Sequence, residues 1–259
     1  MVVGAGQSPG ETMGNGRATS LLFAREGAMV VAVDRDLVSA EETVAMIHGE
    51  GGQAMAIEAD VKDEEALKVA VDICLRQHSR VDILHNNVGI SLAGGDAEIT
   101  DITVEAFDHC VAVNLRGMVL ACKHVLPSMR EKGKGVITNI SSLAAWSAYP
   151  LVAYKTTKSA VIALTEQLAI QNAKFGIRAN VILPGLMDTP MAVDTRVRVL
   201  NKSREEIAAD RGAKVPLGRK MGTGWDVANA ALFLASDDAG FITGVALPVD
   251  GGTSVSLGI

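Results

Sequence analysis

The sequence predicts an α/β protein: one doubly wound parallel sheet with helices on both faces. Short apolar runs alternate with longer stretches of helical period from one end of the chain to the other. Several of those runs are nearly continuous in aliphatic and β-branched residues, as strands buried on both faces must be. No repeat, low-complexity tract or Pro/Ser-rich linker divides the 259 residues, so 1–259 is expected to be a single domain. Strands are expected over 1–3, 29–33, 54–58, 83–85, 135–140, 178–183 and 245–248. Helices are expected near 16–27, 37–50, 63–79, 103–131, 152–175 and 225–236.

The first run is short and opens directly into Gly4-Ala5-Gly6-Gln7-Ser8-Pro9-Gly10-Glu11-Thr12-Met13-Gly14-Asn15-Gly16. A glycine-rich turn between a first strand and a first helix lets backbone approach a pyrophosphate. The helix N-terminus then offers free N–H groups and a favourable dipole. Gly4, Gly14, Asn15 and Gly16 are therefore candidate cofactor-binding residues. The second strand runs out at Asp34-Arg35. A carboxylate there meets a ribose 2′-hydroxyl and repels a 2′-phosphate, which favours NAD; Arg35 and Arg17 are the cations that keep NADP as the alternative. Asp60 and Val61 follow the third strand and are placed to meet an adenine, with Asp60 also a candidate N-cap for the next helix.

Further on, Tyr154 and Lys158 stand four residues apart at the head of an apolar, helix-forming run. On a helix that spacing puts both side chains on one face. A free tyrosine titrates near pH 10 and is a poor acid or base at neutrality; a fixed ammonium beside it would favour phenolate. An upstream serine hydroxyl, from Ser142 or Ser141, could hydrogen-bond the oxygen that gains or loses the proton. Together these groups suit carbonyl/alcohol interconversion.

Bulk properties exclude other classes. Net charge is −6 with no long basic run, so a nucleic-acid partner is not expected. No uncharged apolar segment reaches membrane-spanning length and no signal peptide opens the chain, so a cytoplasmic protein is expected. Cys74, Cys110 and Cys122 form no CxxC pair and read as reduced filler. The five histidines lack metal-ligand spacing, so no metal is expected.

In this order the motifs resemble the classical short-chain dehydrogenase/reductase family over essentially the whole chain. They are the glycine-rich turn, Asn86-Asn87-Val88-Gly89, Asn114, Ser142, Tyr154/Lys158, Pro184-Gly185, and Ile242-Thr243-Gly244 with Val249-Asp250-Gly251-Gly252. The resemblance implies a Rossmann-type sheet of seven strands in the order 3-2-1-4-5-6-7. It implies that Tyr154 is the acid/base, that Lys158 lowers its pKa and holds the nicotinamide ribose, and that Ser142 binds the substrate oxygen. Asn114 would anchor a water continuing a proton path from Lys158. Asn86, Asn87, Val88 and Gly89 would border the cofactor, and Pro184, Gly185 and Thr189 would pass near the nicotinamide carboxamide.

Three features depart from the family pattern. Nine residues, rather than three, separate Gly4 from Gly14, so a segment around Gln7 to Met13 is expected to bulge near the pyrophosphate. Val88 replaces the usual alanine. The Ser142–Tyr154 interval is one residue short, which implies a tighter loop around Trp146 and Tyr149.

The expected function is an NAD(P)-dependent oxidoreductase interconverting a secondary alcohol and a ketone. Ile90, Leu92, Leu143, Trp146, Tyr149, Leu186, Met187, Met191 and Val193 are candidate pocket residues, and their apolar character suggests a hydrophobic or cyclic substrate. The irregular stretch 186–222 is expected to cover it. Arg196, Arg198, Lys202 and Arg204 would clamp an anion only if that stretch folds inward; a solvated face is the expectation. The alternatives are an NADPH-dependent 3-oxoacyl-carrier reductase, a dihydrodiol or sugar dehydrogenase and, in a different class, a non-catalytic cofactor-sensing scaffold. The presence of Asn114, Ser142, Tyr154 and Lys158 together disfavours the scaffold. Helices 103–131 and 152–175 carry apolar residues on more than one side, so a partner surface is expected. The resemblance implies a homotetramer or homodimer.

Overall fold

The computed structural model describes residues 1–256. The seven expected strands are β1 (Val2–Val3), β2 (Val30–Asp34), β3 (Ala54–Glu58), β4 (Ile83–Asn86), β5 (Gly135–Ile140), β6 (Ile177–Pro184) and, counting two further short strands, β9 (Ala246–Val249). They pair in parallel in the order β3-β2-β1-β4-β5-β6-β9. This is the expected order, because β7 (Met187–Asp188) and β8 (Gly222–Thr223) form a separate two-stranded ribbon.

Side-chain alternation along the strands feeds two cores. Val3, Val31, Leu84, Ile137 and Ala179 face one layer of helices: α3 (Glu64–His78), α5 (Gly117–Lys132) and α6 (Val152–Asn172). Val2, Val30, Ala32, Ile140 and Ile182 face α1 (Asn15–Arg25), α2 (Leu37–Gly49) and α9 (Gly224–Ala235) through Leu21, Phe23, Ile47, Val227 and Leu234. Helix starts are fixed locally: Asp36 accepts from Ser39 N, Asp63 from Glu65 and Ala66 N, and Thr103 from Ala106 N. Asp63, rather than Asp60, thus caps α3. Asp60 lies three residues before that cap and instead accepts from Lys62 N.

Two expectations change in detail. The helix expected over 103–131 is α4 (Val104–Val111), a π-helical turn (Ala112–Arg116) and α5 in one continuous rod. By length and hydropathy alone that rod could cross a membrane, yet its apolar face is buried in the sheet core. The 186–222 stretch is more regular than expected. It holds α7 (Asp194–Leu200) and α8 (Arg204–Gly212), the latter opened by a Ser203/Glu206 capping box. These helices are too short and too charged to show an apolar period in the sequence.

Candidate active site

The parallel strands all end on one edge of the sheet, and the order reverses between β1 and β4. A crevice outside the carboxyl ends of strands at such a switch point is where ligands bind in open α/β sheets. A cleft opens there, lined by Val3, Gly4, Asp34, Arg35, Ala59, Asp60, Val61, Val88 and Val113. Six candidate cofactor residues thereby meet: Gly4, Asp34, Arg35, Asp60, Val61 and Val88.

The glycines are held by close approach. Gly4 has φ +86°, and a Cβ on Gly16 would lie 1.9 Å from the Gly4 carbonyl oxygen. Asn87 donates its side-chain amide to that same carbonyl at 3.0 Å. Gly14 is the N-cap of α1 with no side-chain cap, which leaves the first amides of the helix without a capping side chain. The inserted segment bulges as expected and is tied at both ends. Gln7 accepts from Gly14 N through Oε1 at 2.9 Å, and Gln7 N donates to Ser39 Oγ. Asp34 accepts from Gly6 N at 3.0 Å, fixing its carboxylate at the end of β2. Arg17, by contrast, is buried and committed to Thr43, Ser39 and Glu42. It cannot take a 2′-phosphate, which leaves Arg35 as the cation in the cleft wall. Asn86 lines a smaller recess that shares Val3, Val61, Val88 and Val113 with the cleft. It is buried and donates to Asn139 Oδ1 at 2.9 Å.

At the other end of the crevice, α6 presents Tyr154 and Lys158 on one face. Its N-terminus is capped from a distance: Asp96 accepts from Ala153 N at 2.9 Å and Tyr154 N at 2.8 Å. Local sequence could not reveal Asp96, because its partners lie nearly sixty residues on. The Ser142 hydroxyl interacts with the Tyr154 phenol, whereas Ser141 Oγ donates to the Lys158 carbonyl at 2.6 Å. The tighter 143–147 loop is locked by Lys155 Nζ, which donates to the Ala144 and Ser147 carbonyls.

Burial pushes Tyr154 up to about 12, against the downward pull of Ser142, Arg196 and Arg211. Lys158 Nζ lies 5.7 Å from the Tyr154 ring centre and donates to the Ile140 carbonyl at 2.9 Å. Burial draws its own pKa down to about 7. The ammonium expected to acidify the phenol is therefore itself weakened by desolvation, and the pull on Tyr154 comes from a serine and two arginines. Asn114 sits in the π-helical turn and is fully buried; its side chain pairs with Ile90 N and O and with Thr157 Oγ1. The side chain thus fixes the segment that follows β4 and carries Gly89, and any Cβ on Gly89 would lie 3.0 Å from Lys158 Nζ. Pro184 and Thr189 are buried, and Gly185 packs against Asp250.

A family model described as enoyl-(acyl carrier protein) reductase matches residues 10–254. The chain is 38% identical to the 2-(R)-hydroxypropyl-CoM dehydrogenase of Xanthobacter autotrophicus, over 93% of this chain and 95% of that one. The chain belongs to the short-chain dehydrogenase/reductase family. It is also 37% identical to the 2,5-dichloro-2,5-cyclohexadiene-1,4-diol dehydrogenase of Sphingobium indicum, covering 96% and 95% of the two chains. A short-chain dehydrogenase/reductase structure from Burkholderia xenovorans superposes with a TM-score of 0.92 at 38% identity, covering 98% and 95%. Family membership makes this an oxidoreductase that acts on CH–OH groups with a nicotinamide cofactor.

Within the family frame the candidate pocket divides. Leu143, Met187 and Val193 are buried, whereas Trp146 is 52% exposed and Met191 37%. Tyr149 stacks tilted beside Tyr154 with ring centres 5.6 Å apart. Arg204 is the hub that ties the 186–222 cover to the inserted loop. It bonds Asp188 and approaches Asp194 (3.4 Å) and Glu11 (3.6 Å). Arg198 reaches the Pro9 carbonyl, while Lys202 stays on the surface beside Asp210.

Proposed function

We propose that this protein interconverts a secondary alcohol and a ketone with NAD as its cofactor, Tyr154 being the acid/base. The observation that carries the reading is the meeting of Tyr154, Ser142 and Lys158 at the end of the same crevice whose other end is built by Gly4, Gly16 and Asp34. The bound nicotinamide would supply or accept the hydride. The chain's own residues hold the substrate oxygen and its proton. A phenol with its pKa near 12 is protonated at neutral pH and is ready to donate to a ketone oxygen. Oxidation of the alcohol needs the phenolate and is favoured as pH rises. Ser142, aimed at the same phenol, is placed to donate to the developing alkoxide, a contribution of typically a few kcal/mol. Lys158 would hold the nicotinamide ribose, and Gly14, Asn15, Asp60, Val61, Asn87, Val88, Gly89, Pro184, Gly185 and Thr189 would complete the cofactor site.

NAD rather than NADP is supported by the fixed Asp34 carboxylate and by the commitment of Arg17 elsewhere. Leu143, Tyr149, Met187 and Val193 supply apolar walls for the carbon skeleton. The natural assembly is proposed to be a homotetramer, supported by apolar side chains exposed on the α4–α6 side (Val104, Phe107, Val119, Ile170) and by the exposed Phe241. The cytoplasm is the proposed compartment, in keeping with three buried free cysteines. A screen of secondary alcohols with NAD and NADP, read as nicotinamide absorbance, tests the function. Turnover with NAD that is lost in Tyr154→Phe, with cofactor affinity kept, is expected. Full activity in Tyr154→Phe would refute it.

A further inference from the structure

Two arginines at the catalytic end of the crevice have no bonded carboxylate among the described residues. Arg196 on α7 and Arg211 at the end of α8 lie close enough to Tyr154 to act on its charge, and Arg211 also faces Tyr149 and Asp188. Both are only partly exposed. Arg196 uses Nη1 on the Ala192 carbonyl of its own turn at 2.6 Å. Arg211 has two long, weak partners, Met221 Sδ and the Met187 carbonyl, both at 3.4 Å. Among the described residues neither guanidinium forms a salt bridge. The carboxylate that faces Arg211, Asp188, is already bonded by Arg204, which also draws in Asp194 and Glu11. Two guanidiniums near the reacting phenol, with no bonded carboxylate among the described residues, leave a positive field that an anion would satisfy.

We propose that Arg196 and Arg211 form a receptor for an anionic group on the substrate, a carboxylate, sulfonate or phosphate carried on the same molecule as the secondary alcohol. The inference rests on the dehydrogenase reading above and sharpens it: the substrate has an apolar or short carbon skeleton with a charged end. Arg198 and Lys202, which the sequence grouped with Arg196, point elsewhere, and Arg211 replaces them. A guanidinium pair favours such a group through charge-assisted, bidentate bonds in a partly desolvated site. The nearby burial that lowers Arg211 to about 10 leaves it protonated at neutral pH, so the receptor is cationic under working conditions.

The test compares matched probes on the full-length protein. 3-Hydroxybutanoate, 2-hydroxypropane-1-sulfonate and 2-hydroxypropyl phosphate are set against methyl 3-hydroxybutanoate and 2-butanol. We expect kcat/KM for the best anion to exceed that for the neutral probes by about 100-fold. Arg211→Met and Arg196→Met should each shrink that ratio by about 10- to 100-fold, mainly through KM, with the dissociation constant for NAD unchanged. Equal turnover of acid and ester by the native protein would overturn the proposal, as would a variant whose loss lies wholly in NAD affinity. Calorimetric titration of butanoate, propane-1-sulfonate and propyl phosphate into the protein saturated with NAD gives a readout independent of turnover. Binding that Arg211→Met abolishes supports the receptor even if no alcohol is oxidised, in which case the dehydrogenase reading alone has failed. No binding of any of the three anions overturns the receptor while leaving that reading in place.

Discussion

Replacing Lys158 with methionine is expected to stabilise the protein while removing its activity. The side chain is 2% exposed, and Nζ donates to the Ile140 carbonyl at 2.9 Å. Burial lowers its pKa from 10.5 to about 7. The unfolded chain keeps this proton up to about pH 10.5 and the folded chain only to about 7. Between those values the unfolded state binds more protons, so native stability rises with pH; below about 7 the penalty is present in full. A depression of about 3.5 pH units, at about 1.36 kcal/mol each, places ~4–5 kcal/mol of destabilisation on this amine near and below neutrality. It falls to about 2 kcal/mol near pH 9 and vanishes past about 10.5. Methionine matches the length of the stem without the charge, so Lys158→Met recovers much of that amount. Urea unfolding of both proteins at about pH 6.5, 7.5 and 9 measures it. A variant no more stable than the native protein near pH 7, or a difference that fails to shrink towards pH 9, would show that the amine carries no such burden.

Two other substitutions test the cofactor end. Gly16→Ala puts a methyl 1.9 Å from the Gly4 carbonyl; the forced separation of β1 from α1 should cost about 1–3 kcal/mol of stability and weaken NAD binding at least about tenfold, read by calorimetry. Unchanged affinity would mean that the glycine contact is not part of the cofactor site. Arg204→Ala removes the hub shared by Glu11, Asp188 and Asp194; faster hydrogen exchange is expected in both the 7–13 loop and the 186–222 cover, with faster release of NAD, and exchange that changes in only one of the two segments would show that they are not coupled.

Most of the fold was legible because its signals are local. Strands such as Val30–Val33 within β2 are unbroken apolar runs, and caps such as Asp36 and Thr103 sit beside the helices they start, although the cap expected at Asp60 falls at Asp63. Tyr154 and Lys158 were legible because a helix turns their spacing into adjacency. What escaped depends on contacts distant in sequence. Asp96 caps α6 from another loop, and Arg211, nearly sixty residues beyond Tyr154, acts on the phenol only through the folded arrangement of α8. The direction of the Tyr154 shift escaped for a related reason. Spacing places two groups together, but burial decides which of them stays charged, and burial is a property of the whole fold.

The nine-residue interval between Gly4 and Gly14 shows how a motif can be stretched without losing its geometry. The feature that matters is the approach of Gly16 to the Gly4 carbonyl, which Asn87 holds in place from β4's end. Gln7 returns the chain to its start by accepting from Gly14 N, so the extra residues leave the helix N-terminus where a shorter loop would put it. Those residues then become available for another contact, and they make it with the cover. Thr12 and Glu11 meet Arg204, Pro9 meets Arg198, and Gly10 lies so close to Asp194 that a Cβ would collide with its carboxylate. Arg204 holds Asp188, Asp194 and Glu11 in this junction, and among the described residues Arg196 and Arg211 face Tyr154 without a bonded carboxylate. The contacts of the inserted loop and the proposed anion receptor thus meet around one cluster of acids shared by Arg204.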